Sequence, residues 1–171
     1  MIFFVILSGC QDEDEDKKMK LLFFGDLPST VSKDIEKIIV DGVEGRKAED
    51  YQLNLFPMSH EKLMVELAVN NGDIYFLRED VVKGLIDPIA FQPLDELVNQ
   101  ETSSNVAFKE YQAVHPDTDE THTYAVPVSN DSLLMKKLGI QLQTPLVAFI
   151  PAYSEKKEEA IKLLGYLIGK E

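Results

Sequence analysis

The chain has 171 residues, of which 44% are hydrophobic and 27% charged, enough to bury one substantial core and too few for two full lobes. Its 30 Asp and Glu against 17 Lys and Arg, a formal charge of -13, oppose binding to nucleic-acid phosphates and to anionic lipid. No run of about 18 consecutive apolar residues is present that would make a spanning helix.

At the amino terminus an apolar stretch, Ile2 to Leu7, runs into Ser8, Gly9 and Cys10, the single cysteine, so an internal disulfide is excluded. Directly behind it Asp12, Glu13, Asp14, Glu15 and Asp16 form an unbroken acid run, which reads as a solvated linker, with an acidic metal-binding arm as the alternative. Residues 7 to 10, Leu-Ser-Gly-Cys, resemble the end of a lipoprotein signal. The resemblance implies cleavage before Cys10, a diacylglycerol group on its thiol, and anchoring at the outer face of the cell membrane. Residues 1–9 are then a signal remnant, 10–20 the lipidated cysteine with its acidic tether, and 21–171 the folded body. The apolar stretch is six residues long with no Lys or Arg before it, whereas a signal carries a basic segment and roughly 7 to 15 apolar residues. This points to a start upstream of Met1 or to a fragment. The alternative is a buried strand with Cys10 as a small core residue, which the adjacent acid run makes awkward.

Leu21 to Phe24 is an uninterrupted apolar run ended by Gly25-Asp26, a strand covered on both faces. Val31, Ile35, Ile38 and Ile39 fall at helical spacing, with Ser29 or Thr30 as N-cap and Gly42 near the stop. Tyr51 to Leu55 alternates at period two and reads as an edge strand ended by Pro57. Ser59 caps a second helix with the stripe Leu63, Met64, Leu67 and Ala68, stopped at Asn70-Asn71-Gly72. Ile74 to Leu77 is another buried strand. Three strands joined by helices imply right-handed crossovers, a parallel sheet and the order 2-1-3 of doubly wound α/β folds.

Farther on, Glu79 to Gly84 suits a short helix, Asp87-Pro88 a turn, and Pro93 to Leu97 a further helix. Phe108 to Val114 and Thr121 to Val128 are β-prone around a polar loop, a hairpin or ribbon. Leu146 to Ile150 is a last buried strand, and Ser154 caps a final helix with Ala160, Ile161, Leu164, Leu167 and Ile168 on one face.

The segment FPMSHEKLMVELAVNNGDIYFLREDVVKGLIDPIAFQPLDELV resembles the type II extracellular solute-binding proteins of ABC importers. Thr123 to Met135, TYAVPVSNDSLLM, is similar to that family's crossing from first lobe to hinge, and Thr144 to Lys170 to the strand and helix of its return. The resemblance implies an α/β, doubly wound, mainly parallel sheet like one lobe of a type II periplasmic binding protein. The family has a second lobe between crossing and return, where only Asn130 to Thr144 stand here. The chain therefore reads as the first lobe alone, which covers less of a ligand than a closed clamshell.

In doubly wound sheets ligands meet the carboxyl ends of the strands. That rule selects Gly25 and Asp26, Ser59 and His60, Arg78 and Glu79, and Ser129 and Asn130. Each also has a plain structural reading: a cap for Ser59, a turn for Asp26, a surface ion pair for Arg78 with Glu79. His115 and His122, with Asp117, Asp119 and Glu120 between them, match neither an HExxH pair nor a calcium loop, so no metal is expected. No GxSxG, phosphate-cradling glycine loop or triad context marks an enzyme, and no cofactor is expected.

The expected function is a membrane-anchored solute-binding-like lipoprotein, a reduced substrate-binding component of an ABC importer, with a permease or other membrane protein and a small solute as partners. The alternative is a protein-interaction or regulatory lipoprotein without a small ligand, marked by an apolar patch on the face left uncovered. A homodimer with two lobes facing each other is the arrangement that would restore the missing cover.

Overall fold

The computed structural model describes residues 17–98 and 106–170. The expectations for the apolar stretch, for Cys10 and for the acid run lie outside the described residues.

Apolar runs become the centre of a five-stranded sheet. Its strands are β1 (Met19–Phe24), β2 (Tyr51–Phe56), β3 (Ile74–Arg78), β6 (Val126–Val128) and β7 (Leu146–Phe149), in the order β2-β1-β3-β7-β6. The order β2-β1-β3 and its parallel pairing follow the sequence pattern, with the alternating β2 at the edge. Strand β7 is inserted in the same sheet but runs antiparallel to both β3 and β6. The sheet is therefore mixed: β1, β2, β3 and β6 run one way and β7 alone runs against them. The reason is local: the chain leaves the sheet after Val128 and re-enters at Leu146, its own cross-strand partner, so residues 129–145 stay at one end.

Side-chain alternation divides the core into two layers. Leu21, Phe23, Ile74, Phe76, Leu146 and Ala148 face one side, where α1 (Ser32–Gly42), α5 (Leu133–Leu138) and α6 (Lys157–Ile168) cover them. Leu22, Phe24, Tyr75, Leu77, Val147 and Phe149 face the other, against α2 (His60–Ala68) and α3 (Glu79–Val82). Phe23 stacks on Phe76 at 4.0 Å between ring centroids, and Phe91 on Phe149 at 4.1 Å.

Several local expectations are corrected. A 3-10 turn, Ser29–Val31, leads into α1, and neither Ser29 nor Thr30 makes a side-chain cap. On α2 the expected stripe is buried at Leu63 and half-buried at Leu67, but Met64 is 57% exposed and Ala68 is exposed, while Glu66, supplied with polar partners, is buried. Pro93 to Leu97 gives only a 3-10 turn, Asp95–Leu97. Phe108 belongs to a short helix, α4 (Val106–Lys109), ahead of β4 (Gln112–Val114). The stretch 121 to 128 splits: β5 (Thr121–Thr123) pairs with β4 in a separate ribbon, and β6 joins the main sheet. The final helix begins at Lys157, with Ser154 capping the turn before it through a bond from the Lys156 amide at 3.2 Å.

Candidate functional site

Strand register gathers the switch-point positions at one end of the sheet. Phe24 lies between Phe56 and Leu77, and Arg78 aligns with Leu146, which aligns with Val128. Gly25, Arg78 and Val128 thus stand at one level, with Ser129 one residue farther on and Ser59 a short turn beyond β2. A cleft of about 480 Å³ opens between the ends of β1 and β2, lined by Gly25, Asp26, Leu27, Phe56 and Pro57 among others.

The charged centre of this end is Arg78. Its Nε donates to Asp80 Oδ1 at 3.0 Å and its Nη2 to Asp80 Oδ2 at 2.5 Å, while Nη1 stands 4.0 Å from Asp26 Oδ2. The hydrogen bond and charge of Arg78 hold the Asp80 carboxyl below its ordinary value. Glycine at 25 permits the close approach here: a Cβ would sit 3.0 Å from Leu146 Cδ2 and 3.9 Å from Arg78 Cγ. The Arg78 guanidinium is one-third exposed between two exposed carboxylates, so it offers both signs of charge to a polar solute.

The remaining positions are held by the fold. Ser59 Oγ accepts from the Lys62 amide at 3.2 Å as the cap of α2 and donates to Glu61 at 3.1 Å. Glu61 is held below its ordinary value by a backbone hydrogen bond and by that hydroxyl. His60 is exposed at the first turn. Glu79 pairs with Tyr111, not Arg78: the Tyr111 hydroxyl donates to its Oε1 at 2.8 Å, and burial with this carboxylate pushes Tyr111 up. Ser129 Oγ accepts from the Asp131 amide at 3.3 Å. Asn130 clamps the excursion between β6 and β7, donating to the Leu142 carbonyl at 3.0 Å and accepting from its amide at 2.8 Å. The structure thus brings Gly25, Asp26 and Arg78 together and adds Asp80, while Asn130 and Glu79 are engaged elsewhere.

Among the described residues no group of three His, Cys, Asp or Glu is arranged to hold a metal. His122 Nδ1 instead lies 2.6 Å from Asp95 Oδ2, and Asp95 Oδ1 accepts from the Thr123 amide at 2.8 Å, fastening the β4–β5 ribbon to the turn at Asp95.

A second polar cluster lies at the opposite, amino end of the parallel strands. Asp73 accepts from the Lys20 amide at 2.8 Å and from the Ser154 hydroxyl at 2.6 Å, with Lys156 Nζ at 3.6 Å. Beside it the Asn71 amide group donates to buried Glu66 at 2.5 Å, Lys62 pairs with the same carboxylate, and the Tyr75 and Tyr153 hydroxyls meet at 2.9 Å. Burial pushes both tyrosines up. A cleft of about 380 Å³ runs along Lys20, Asn71, Asp73, Tyr153 and Lys156. The sequence pattern marks Ser154 only as a cap and Gly72 only as part of a helix stop, and gives Asp73 no role. The signal it lacked is the approach of residues 81 positions apart.

In sequence the chain is 29% identical over 163 residues to a Bacillus subtilis (strain 168) protein named "Putative lipoprotein YteS", an alignment covering 95% of this chain and 89% of that protein. No protein-family model matches the chain. No solved structure matches it either. Among the described residues no helix is long and apolar enough to cross a membrane.

Proposed function

We propose that this protein is a lipoprotein held at the outer face of the cell membrane through Cys10, its folded body a single solute-binding-type lobe derived from the substrate-binding component of an ABC importer. The observation that carries the reading is the coincidence of the Leu7-Ser8-Gly9-Cys10 ending with similarity, over nearly the whole chain, to a protein named a lipoprotein. The order β2-β1-β3, and the return of β7 into that sheet after a short excursion, support the lobe. Solute would meet the carboxyl end at Gly25, Asp26 and Arg78, where exposed charge and an open cleft coincide. Metabolic labelling with palmitate tests the anchor: the native chain incorporates label and stays with membranes, whereas Cys10→Ser is released. Equal release of both forms overturns it.

A second reading, an interaction lipoprotein without a small ligand, is favoured by the engagement of Glu79, Ser129 and Asn130 within the fold. The exposed apolar residues do not favour the face left uncovered, because Met64, Val65 and Val69 lie along α2 and its end. A thermal-shift screen of sugars, peptides, amino acids and metals separates the two, since a ligand of the native state raises the melting temperature. Stabilisation by a solute, lost in Arg78→Ala, supports solute binding, and a flat screen favours the interaction reading.

A further inference from the structure

We infer that the amino end of the parallel strands is the membrane-facing end of the molecule, and that the apolar rim formed by Val69 and Ile89 rests on the lipid surface. The inference deepens the lipoprotein reading, on which it rests, by naming the surface that the folded body presents to the bilayer.

Three turns converge at this end. Strand β1 begins at Met19, opposite Tyr51 of β2, so the chain enters the fold here. The turn from α2 to β3, Val69 to Asp73, is tied to that entry by the Asp73 amide donating to the Lys20 carbonyl at 2.9 Å. The loop carrying Ile89 is brought to the same end by pairing with the exit of β7: the Ala152 amide donates to the Ala90 carbonyl at 2.7 Å, and the Gln92 amide to the Ile150 carbonyl at 2.8 Å. Between these turns lies a mainly apolar groove of about 420 Å³, lined by Leu67, Asn70, Ile89, Phe91, Pro151 and Tyr153 among others.

Val69 and Ile89 are the most exposed large apolar side chains among the described residues, at 64% and 69%. Each belongs to a stretch without charge, Val69 to Gly72 and Pro88 to Gln92. Of the 30 acids none stands in either stretch, and five stand in the run 12–16.

Chain length decides the occupant. Lys17 stands seven positions after Cys10, and a fully extended chain of that length reaches at most about 25 Å. An acyl group on Cys10 therefore holds the entry to β1 within that distance of the bilayer. The six residues of β1 add about 20 Å before Gly25. The Arg78 end thus points away from the membrane into the medium, while aliphatic groups at the entry end meet the interface, where apolar side chains gain by leaving water.

The chain has no tryptophan and one cysteine, which makes the test direct. The full chain is coupled through Cys10 to a maleimide phospholipid in phosphatidylcholine vesicles with brominated acyl chains, and single tryptophans are introduced as Val69→Trp, Ile89→Trp and, at the far end, Asp26→Trp. The expected result is quenching several-fold stronger at positions 69 and 89 than at 26. Equal quenching at all three, or none at the two rim positions, overturns the inference. So does a concentration-dependent blue shift of the rim tryptophans without vesicles, which would place a second copy of the chain on the rim. Because the coupling is artificial, a failed palmitate labelling in cells would remove the natural anchor while the quenching still judges the rim.

Discussion

The two ends of the main sheet carry similar residues in opposite conditions. At the carboxyl end Asp26, Arg78 and Asp80 are exposed to water beside an open cleft, with Arg78 bonded to Asp80 two residues away. At the amino end Asp73, Ser154 and Glu66 are buried, and their bonds tie β1, the start of β3 and the approach to α6 across long sequence separations. An exposed ion pair is worth little to folding, whereas a buried polar group deprived of its partner is costly. The contrast assigns stability to the amino end and leaves the carboxyl end free to recognise something.

The largest test of that contrast removes the element that joins the two ends. Strand β7 sits between β3 and β6, and α6 covers one face of the sheet. Deletion of residues 144–171 is expected to abolish the cooperative unfolding transition in circular dichroism, since neither the three-strand unit nor the crossing strand can bury its apolar face without them. A cooperative melt that survives would show β7 to be dispensable.

Next in size is Asp73→Ala. It leaves the Lys20 amide and the Ser154 hydroxyl without their acceptor and removes the carboxylate beside Lys156, so a loss of about 3 kcal/mol is expected in denaturant titration. Asp26→Ala at the other end is the control and is expected to cost under about 0.5 kcal/mol. Equal losses would erase the distinction between the ends.

Gly72→Ala should follow, at about 2 kcal/mol, from overpacking. A Cβ at 72 would stand 2.4 Å from Tyr75 Cε2 and 3.0 Å from Leu22 Cδ1, both in side chains buried in the core. Thermal melting of the variant measures it, and an unchanged midpoint would mean the Tyr75 ring has room to move.

How far these features could be read from sequence follows from their range. The strands β1 and β3 were legible because both faces are buried and the apolar run is continuous, and β2 because its alternation marks a half-wet edge. The stripe on α2 is legible at Leu63 and Leu67, which face the core, but not at Met64, which is exposed, while Glu66, a carboxylate supplied with Lys62 and Asn71, goes inside. The β7 direction was not legible, because nothing local in Leu146 to Phe149 tells parallel from antiparallel pairing. At the candidate site the rule of strand ends found Arg78 and Asp26, but the partners of Glu79 and Asn130 lie 32 and 12 residues away and no pattern announces them.

Acid pH sharpens the same comparison. Burial alone would raise the Glu66 carboxyl, but hydrogen bonds from Lys62 and Asn71 outweigh it and hold it below its ordinary value of 4.5. A group whose folded value is depressed contributes stability that is complete above its unfolded value and is lost as pH falls through the folded one. Glu66→Gln is therefore expected to be less stable than the native chain at neutral pH and to lose less on acidification below about pH 4.5. Parallel pH curves for the two proteins, followed by chemical denaturation, would remove Glu66 from the acid response.

The smallest expected effect on stability, and the one that bears most on function, is Arg78→Ala. Its guanidinium is bonded to Asp80 and stands near Asp26 at the surface, so the fold gains little from either pair. The variant should melt with the native chain when no ligand is present. If a solute stabilises the native chain in the thermal-shift screen, the same solute should leave Arg78→Ala unmoved, because the variant loses the cation that the strand register places at the level of Gly25 and keeps two neighbouring carboxylates. Asp80→Asn, which frees the guanidinium of its tightest partner while keeping its shape, should instead strengthen binding of an anionic solute. A solute that stabilises all three proteins alike would place recognition away from the carboxyl end, and the sheet's two ends would then differ in stability alone.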